Sequence, residues 1–217
     1  MYEFVKYLIK KSDISKNEFY NYNPPVNKKD NKKQKFNYEK IEQPIYDNYI
    51  IFDFETTGLD PYSSKIIEIG AAKIKNGEIN ESFNTLVNPE TVIPPFIVEK
   101  VHITNEMVKN KETINNVLPK FVKFIDNLPL IAHNARFDMS FLLKNAFEQN
   151  LTVQNPSLDT LYLSRKYLKT AEKHNLEYLA KHFNIEHKNA HRAYADVLTT
   201  FEIYKIILKE YSRLSES

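Results

Sequence analysis

The strongest constraint on the fold is a group of three β-forming segments that follow one another closely. Residues 49–52 and 65–74 are dense in isoleucine and other β-formers, and residues 79–87 form a third such segment. Asn76-Gly77 lies between the second and the third, and this dipeptide favours the tight turn of a hairpin. The sequence therefore predicts three strands, the last two joined as a hairpin.

Strand and helix patterns alternate after these segments. Apolar residues at helical spacing predict a helix over 114–125, and short apolar strands are predicted at 130–132 and around Leu158. Further helices are predicted at 139–147, 160–167, 176–183 and 194–211. Hairpin-linked strands followed by this alternation predict an α/β domain with a mixed sheet.

Composition excludes several classes of site. The chain has no cysteine, which excludes disulfides, thiolate zinc sites and cysteine nucleophiles. Its 217 residues include three glycines, too few for a Gly-rich phosphate-binding loop. No apolar run approaches the roughly 18 residues of a membrane span, and no signal-like stretch follows Met1. We therefore expect a cytoplasmic protein in which phosphate chemistry would need metal ions or basic side chains.

The chain is predicted to divide into an N-terminal part, residues 1–45, and a core domain, residues 46–217. The N-terminal part has a net charge of +4, against −2 for the remainder. Residues 2–11 have the apolar spacing of a short helix. Residues 17–43 are rich in Asn, Lys and Pro, so we expect no regular structure there. This stretch is compatible both with a solvated linker and with a basic arm that contacts nucleic acid.

Two carboxylates lie at the end of the first core strand. Asp53 and Glu55 share one face, because side chains alternate along a strand. Two adjacent carboxylates beside a core repel each other and lose solvation, which is costly unless cations neutralise them. The strand could also end at Asp53 and leave both groups in water.

Two more acidic residues and one histidine lie near other element boundaries. Asp138 follows the predicted strand 130–132, and Asp196 begins the last helix, five residues after His191. Each has an ordinary explanation when taken alone. Aspartate is a good helix N-cap, it is favoured in a helix's first turn, and a single histidine is commonly a core or surface residue.

Taken together, the four carboxylates predict a metal centre. Functional groups converge at the carboxyl ends of the strands in an open α/β sheet. Oxygen ligands suit Mg²⁺ or Mn²⁺ rather than zinc, and two such ions would clamp an in-line attack on a phosphodiester. The nearby His191 could take the proton from an attacking water.

Three segments resemble, in order and composition, the three motifs of the DEDDh exonuclease family. They are Asp53-Phe54-Glu55-Thr56-Thr57-Gly58-Leu59, His133-Asn134-Ala135-Arg136-Phe137-Asp138 and His191-Arg192-Ala193-Tyr194-Ala195-Asp196. The step from His191 to Asp196 matches the histidine branch of the family. The resemblance covers roughly residues 48–211 and is to the DNA polymerase III epsilon-subunit-like and polymerase-C-like 3′→5′ exonuclease domains.

This resemblance implies an RNase H-like fold, with a five-stranded mixed sheet of order 3-2-1-4-5 flanked by helices. It also implies two Mg²⁺ or Mn²⁺ ions per active site. Asp53, Glu55 and Asp196 would hold the first ion. Asp53 would bridge to the second, with Asp138 assisting directly or through water. The family's general base corresponds to His191.

The resemblance also implies a substrate groove. The backbone around Thr56 and Thr57 would receive the 3′-terminal nucleotide, and Leu59 would press against its base. Asn134 and Phe137 would line the same groove.

Two positions leave alternatives open. Asp159 stands where the family often carries an acidic residue, and it fits the role of a helix cap equally well. His102 stands where the family usually has glycine before Ile-Thr, which leaves the substrate contacts of this loop open.

The implied function is a metal-dependent 3′→5′ exonuclease that releases nucleoside 5′-monophosphates from a single-stranded or frayed 3′ end. DNA is favoured, because the first motif is most like the DNA-proofreading branch. RNA-directed enzymes of the RNase T and oligoribonuclease types share this chemistry. A non-catalytic, polymerase-associated nucleic-acid-binding module is a further alternative. A DNA polymerase subunit would be a partner in trans, and no membrane partner is expected.

Overall fold

A single mixed sheet organises the part of the chain that the computed structural model describes, which is residues 36–45 and 47–216. Its strands are β1 (Lys40–Ile41), β2 (Tyr49–Thr56), β3 (Ile66–Lys75), β4 (Glu78–Leu86), β5 (Leu130–Ala132) and β6 (Ser157–Asp159). The helices of this part are α1 (Pro95–Val101), α2 (Asn105–Val108), α3 (Ile114–Ile125), α4 (Arg136–Glu148), α5 (Thr160–Tyr167), α6 (Leu176–His182) and α7 (Ala193–Ser215). None of these helices has the length and apolar character needed to cross a membrane.

The strand order is β1-β6-β5-β2-β3-β4. β3 runs antiparallel to β2 and β4, whereas β5 runs parallel to β2 and β6. The five predicted strands therefore lie in the predicted order, and the mixed α/β sheet is confirmed. β1 is a sixth strand, paired parallel with β6.

The expectation of no regular structure over residues 17–43 is wrong for β1. Lys40 pairs with Ser157, whose N–H also donates a 2.8 Å hydrogen bond to the carbonyl of Glu39. The Phe36 ring packs 5.7 Å from that of Phe147. Phe36, Tyr38 and Ile41 of this stretch pack against the core, and this apolar burial offsets the cost of ordering the residues around β1. The predicted helix at residues 2–11, and residues 17–35, lie outside the described residues, and the domain boundary at residue 45 stays a prediction.

Two apolar layers enclose the sheet, and β2 contributes to both. Ile50, Phe52 and Phe54 pack in one layer with α3 and α4. Tyr49 and Ile51, which alternate with them, pack in the other layer with α5, α6 and α7. Because side chains alternate along a strand, residues 53 and 55 of β2 lie on the same face of the sheet as Tyr49 and Ile51, the face covered by α7.

Candidate active site

The carboxyl end of β2 brings the four predicted carboxylates together. Asp53 and Glu55 share the face toward α7, as predicted, and both are partly exposed. Asp196 lies in the first turn of α7 and is buried. Asp138 is buried in the first turn of α4. The sheet thus gathers three separate segments of the chain at one point.

Asp138 ties the start of α4 to β2. β5 pairs with β2 only at Ile50 and Ile51, so the rest of that edge of β2 needs other partners. The Phe54 N–H donates a 3.0 Å hydrogen bond to Asp138 Oδ1. The alternative that Asp138 is a helix N-cap does not hold, because the N-cap position is Ala135. Its carboxylate instead stabilises the end of the strand that carries the other acidic groups.

The electrostatics of the cluster disfavour four negative charges without cations. Burial raises the pKa of Asp53 well above its usual range, and the carboxylates of Asp138, Glu55 and Asp196 raise it further. Burial, followed by the charge of Asp196, raises the pKa of Glu55 to about 8. Burial also raises the pKa of Asp138 to about 8, against the opposing effect of its hydrogen bond from Phe54. Oxygen donors held this closely fit hard divalent cations, which would remove the repulsion.

His191 completes a group that could hold a metal ion. A ring nitrogen of His191 and carboxylate oxygens of Glu55 and Asp196 lie within 4.8 Å of one another. His191 has a left-handed backbone, with φ of 63°, at the end of the connection between α6 and α7. The structure therefore places the predicted histidine at the carboxylates, and its role as general base stays a prediction.

Glu68 is a site residue that the sequence analysis missed. It lies opposite Glu55 in the β2–β3 register, and its side chain is 2% exposed. Arg192 Nε and Nη2 donate to both of its oxygens at 2.7–3.2 Å, and the Ala193 N–H donates to Oε2 at 2.9 Å. We call Glu68 and Arg192, together with this backbone N–H, the β3–α7 clamp. The sequence feature that could have identified Glu68 is that it is the lone glutamate within the apolar strand 65–74.

Gly70 allows β3 to approach the beginning of α7. A Cβ atom at this position would lie 2.5 Å from the carbonyl carbon of Ala193 and 2.5 Å from the nitrogen of Tyr194. Because both are backbone atoms, no side-chain rotation could relieve the contact. The clamp and this close approach fix α7, and with it Asp196, against the sheet.

His187 is a second residue that the sequence analysis missed. Its Nε2 lies 2.6 Å from Asp196 Oδ1, and both side chains are nearly buried. Burial raises the pKa of Asp196, and the hydrogen bond from His187 opposes this effect. His187 lies four residues before His191, and nothing in the local sequence distinguishes it from a solvent-exposed histidine.

The predicted substrate residues adjoin two of the site carboxylates in the chain, since they follow Glu55 or precede Asp138. Thr56 Oγ1 donates a 2.6 Å hydrogen bond to the carbonyl of Gly58. Thr57 Oγ1 accepts one of 2.9 Å from the Lys65 N–H. Both hydroxyls therefore brace the β2–β3 connection. Leu59 is 83% exposed, so its side chain is free to contact a ligand.

A hydrogen bond to Asp159 holds the backbone of the second predicted motif. Asn134 has φ of 67°, and its N–H donates to Asp159 Oδ1 at 3.0 Å. The same oxygen accepts from the Leu161 N–H at 2.9 Å and caps α5. For Asp159 the structure thus supports the capping role. The ring of Phe137 packs at a tilt against that of Phe141, with ring centroids 5.0 Å apart, and Phe137 is partly exposed.

His102 occupies the left-handed C-cap of α1, with φ of 56°, and its N–H donates to the Val98 carbonyl. Glycine is the usual residue in this conformation. The replacement of the family's glycine therefore falls at a backbone position that a histidine can fill at a modest energetic cost. Lys100, in the last turn of α1, is close enough to Glu55 to lower the pKa of that carboxyl.

Comparison with known proteins is consistent with this geometry. Residues 50–204 match the family model RNase_T, described as an exonuclease. The chain is 45% identical over 169 residues to the DNA polymerase III PolC-type of Clostridium perfringens, covering 78% of this chain and 12% of that protein. It is 36% identical over 163 residues to the DNA polymerase III subunit epsilon of Aquifex aeolicus, covering 75% and 81%. The chain thus spans a small fraction of its PolC-type relatives and most of the epsilon subunit.

Solved structures share the fold. Escherichia coli exonuclease I in complex with a dT13 oligonucleotide superposes with a TM-score of 0.69 at 20% identity, covering 78% of this chain and 43% of that one. Exonuclease X in complex with 5′ overhanging duplex DNA gives a TM-score of 0.58 at 25% identity, covering 74% and 91%. The expected RNase H-like fold is confirmed. Because the family model spans most of the chain and the acidic motifs converge as the family requires, the chain belongs to the RNase_T exonuclease family, of DEDDh type.

Proposed function

We propose that this chain hydrolyses nucleic acid, DNA in preference to RNA, from the 3′ end and releases nucleoside 5′-monophosphates. The observation that carries the proposal is the clustering of four acidic side chains with His191 at the carboxyl end of β2. A folded chain keeps such a cluster at a cost in stability. A module that only bound nucleic acid would gain nothing from that cost, which favours a catalytic role.

The cluster is proposed to bind two Mg²⁺ or Mn²⁺ ions. Asp53, Glu55 and Asp196 would hold the first, Asp53 would also hold the second, and Asp138 would assist directly or through water. When bound, the ions would supply electrostatic stabilisation of the attacking and leaving oxygens of the phosphodiester. Lys100 is close enough to lower the pKa of Glu55, and it adds a positive charge near the site.

His191 is proposed as the general base. In its neutral form it accepts the proton of the attacking water, and it needs only to lie within hydrogen-bond reach of that water. Its distance from Glu55 and Asp196 is compatible with this role. Leu59 presses against the terminal base, and the peptide groups of Thr56 and Thr57 receive the terminal nucleotide. Asn134 and Phe137 line the groove beside them.

DNA is proposed as the substrate because the relatives are named as DNA polymerase III proteins. The related exonuclease I and exonuclease X were solved with DNA bound. The epsilon subunit of Aquifex aeolicus, which this chain matches over most of its length, makes a DNA polymerase the proposed partner. Replication and repair in the cytoplasm are the corresponding setting.

The test is digestion of matched single-stranded DNA and RNA oligonucleotides, labelled at the 5′ end, with Mg²⁺ or Mn²⁺. We expect a ladder that shortens one nucleotide at a time from the 3′ end, faster on DNA, and mononucleotide 5′-phosphates as products. Asp53→Asn, which keeps the size of the side chain and removes its charge, should lower the rate by orders of magnitude. Internal cleavage would overturn the exonuclease proposal, and faster digestion of RNA would overturn the substrate preference.

A further inference from the structure

We propose that His187 is a positioning residue of the metal centre, which holds one carboxylate oxygen of Asp196 and so fixes the orientation of that carboxylate. The inference rests on the proposed function, since Asp196 is a proposed metal ligand. His187 lies outside all three motifs, and its role follows from its contacts alone.

The contact itself is short and enclosed. His187 Nε2 lies 2.6 Å from Asp196 Oδ1, and the two side chains are 10% and 11% exposed. Because an ionised carboxylate offers only acceptors, the imidazole donates through Nε2 when Asp196 is in the charged form that a metal ligand needs. The other ring nitrogen, Nδ1, is buried and has no hydrogen-bond partner within the described residues. Within that part of the chain, the contact with Asp196 is thus the polar interaction that defines the ring's position.

A donor at this point suits a metal ligand. An ionised carboxylate can rotate and share its two oxygens among several partners, whereas one that accepts a fixed hydrogen bond has a defined direction. Hydrogen bonds from neighbouring residues to the ligands of a metal site orient those ligands, and loss of such a bond typically weakens metal affinity. Asp196 also lies among Asp53, Glu55 and Asp138, whose charges repel it, and the imidazole N–H stabilises it against them.

The position of His187 in the chain gives the contact a second effect. The connection between α6 and α7 carries both His187 and His191, and its backbone is left-handed at Asn184, Asn189 and His191. His187 ties the middle of this connection to the first turn of α7. The β3–α7 clamp ties its end, one residue after His191. The histidine proposed as base is therefore held from both sides.

Two substitutions separate the hydrogen bond from the packing. His187→Leu keeps an apolar body of similar size and removes the donor. His187→Gln keeps an N–H near the position of Nε2. His182→Leu is the matched control, because His182 is an exposed histidine of α6 away from the carboxylates.

The measurement is a calorimetric titration of the full chain with Mn²⁺, together with thermal unfolding in EDTA. We expect His187→Leu to bind Mn²⁺ about 10–100-fold more weakly. His187→Gln should recover most of the affinity, and His182→Leu should match the wild type. In oligonucleotide digestion, His187→Leu should need correspondingly more Mn²⁺ for half-maximal rate.

An unchanged Mn²⁺ affinity in His187→Leu would overturn the inference. So would an equal loss in His187→Gln, because the packing of the ring would then account for the effect. Should His187→Leu fail to fold in EDTA, His187→Ala is compared with His187→Gln under the same criteria. If the wild-type chain binds no Mn²⁺, the metal centre of the proposed function is refuted. If the wild type binds Mn²⁺ and His187→Leu binds it equally well, only the role of His187 is refuted.

Discussion

At the scale of single residues, the acidic side chains that are proposed to bind metal also destabilise the metal-free fold. Glu55, Asp138 and Asp53 all have raised pKa values in the folded chain, because burial and mutual repulsion disfavour their charged forms. A carboxyl with a raised folded-state pKa destabilises the fold once the pH exceeds its unfolded value. The acidic cluster therefore lowers the stability of the metal-free fold, and bound cations would offset this loss.

Glu55→Gln tests this balance. The pKa of Glu55 is about 8 in the folded chain, against about 4.3 for an unfolded glutamate. The metal-free wild type should therefore lose stability progressively as pH rises from about 4 through 8. In EDTA at pH 8, Glu55→Gln should be more stable than wild type by on the order of 2 kcal/mol, and the two should converge near pH 4.

Thermal unfolding in EDTA between pH 4 and pH 9 measures the effect. Glu99→Gln, which removes an exposed carboxylate of α1, is the control and should follow the wild type. A wild-type stability that is flat or rises with pH over this range would contradict the prediction.

The residues that sequence reasoning found and missed differ in the signal that their local sequence carries. Asp53, Glu55, Asp138, Asp196 and His191 lie in short motifs whose composition signals chemistry, and the structure brings them together. Glu68 and His187 act through partners that only folding supplies, and the clamp joins positions 124 residues apart. Their local sequence is that of an ordinary strand glutamate and an ordinary loop histidine.

At the scale of elements, the junction of β3 with α7 positions the site. The clamp provides charge-assisted hydrogen bonds, and Gly70 provides the space for the backbones to meet. The strands and their order could be predicted from β-propensity, the Asn-Gly turn and the alternation that follows. The edge strand β1 could not be predicted, because two residues are too few to show an alternating pattern and the strand that they pair with, β6, is distant in sequence.

Gly70→Ala should disturb this junction. The added Cβ would meet backbone atoms at 2.5 Å, so β3 and α7 must separate. Overpacking of this kind costs about 1–3 kcal/mol. Because α7 carries Asp196, the rate on oligonucleotides should fall more than the stability loss alone would explain.

Denaturant unfolding and digestion rates measured well below the unfolding midpoint test this prediction. Gly77→Asn is the control, since Gly77 has φ of 79°, has open space around it, and asparagine tolerates this conformation. A Gly70→Ala chain with wild-type stability and rate would show that the junction adapts freely.

A shortened chain tests the edge strand. Starting at Tyr46 removes β1 and the two hydrogen bonds of Ile45 with the Tyr204 hydroxyl, at 2.8 and 2.9 Å. From the sequence alone, such a chain is expected to keep its catalytic rate per bound substrate. The structure adds that its free energy of unfolding should be lower, by on the order of 2–4 kcal/mol from lost apolar burial, so that it melts at a lower temperature. A chain starting at Lys35 should keep wild-type stability, and equal melting of both shortened chains would refute the prediction.

At the scale of the whole molecule, charge is divided along the chain. Residues Lys35–Ser217 form one compact unit that contains the candidate site, while most of the lysines of residues 1–45 precede it. The family resemblance predicts the sheet and the acidic centre within this unit. For the preceding residues the sequence still supports both a solvated linker and a basic arm.

Binding of a single-stranded oligonucleotide at increasing salt, with Ca²⁺ in place of Mg²⁺, distinguishes these two readings. If residues 1–34 act as a basic arm, the chain starting at Lys35 should bind more weakly than the full chain. Its affinity should also fall less steeply with salt, because fewer phosphate contacts release fewer counterions. Fluorescence anisotropy measures both quantities, and identical affinity and slope would leave the linker reading.

If the acidic cluster binds metal as proposed, it would also couple the lifetime of the protein to its ionic surroundings. An ion that binds only the folded chain adds stability by mass action, about 1.4 kcal/mol for each tenfold rise in free ion above its dissociation constant. Starvation for divalent ions would then raise the unfolded fraction and expose the chain to proteases. Its abundance in a cell would follow the supply of the ions that the proposed reaction requires.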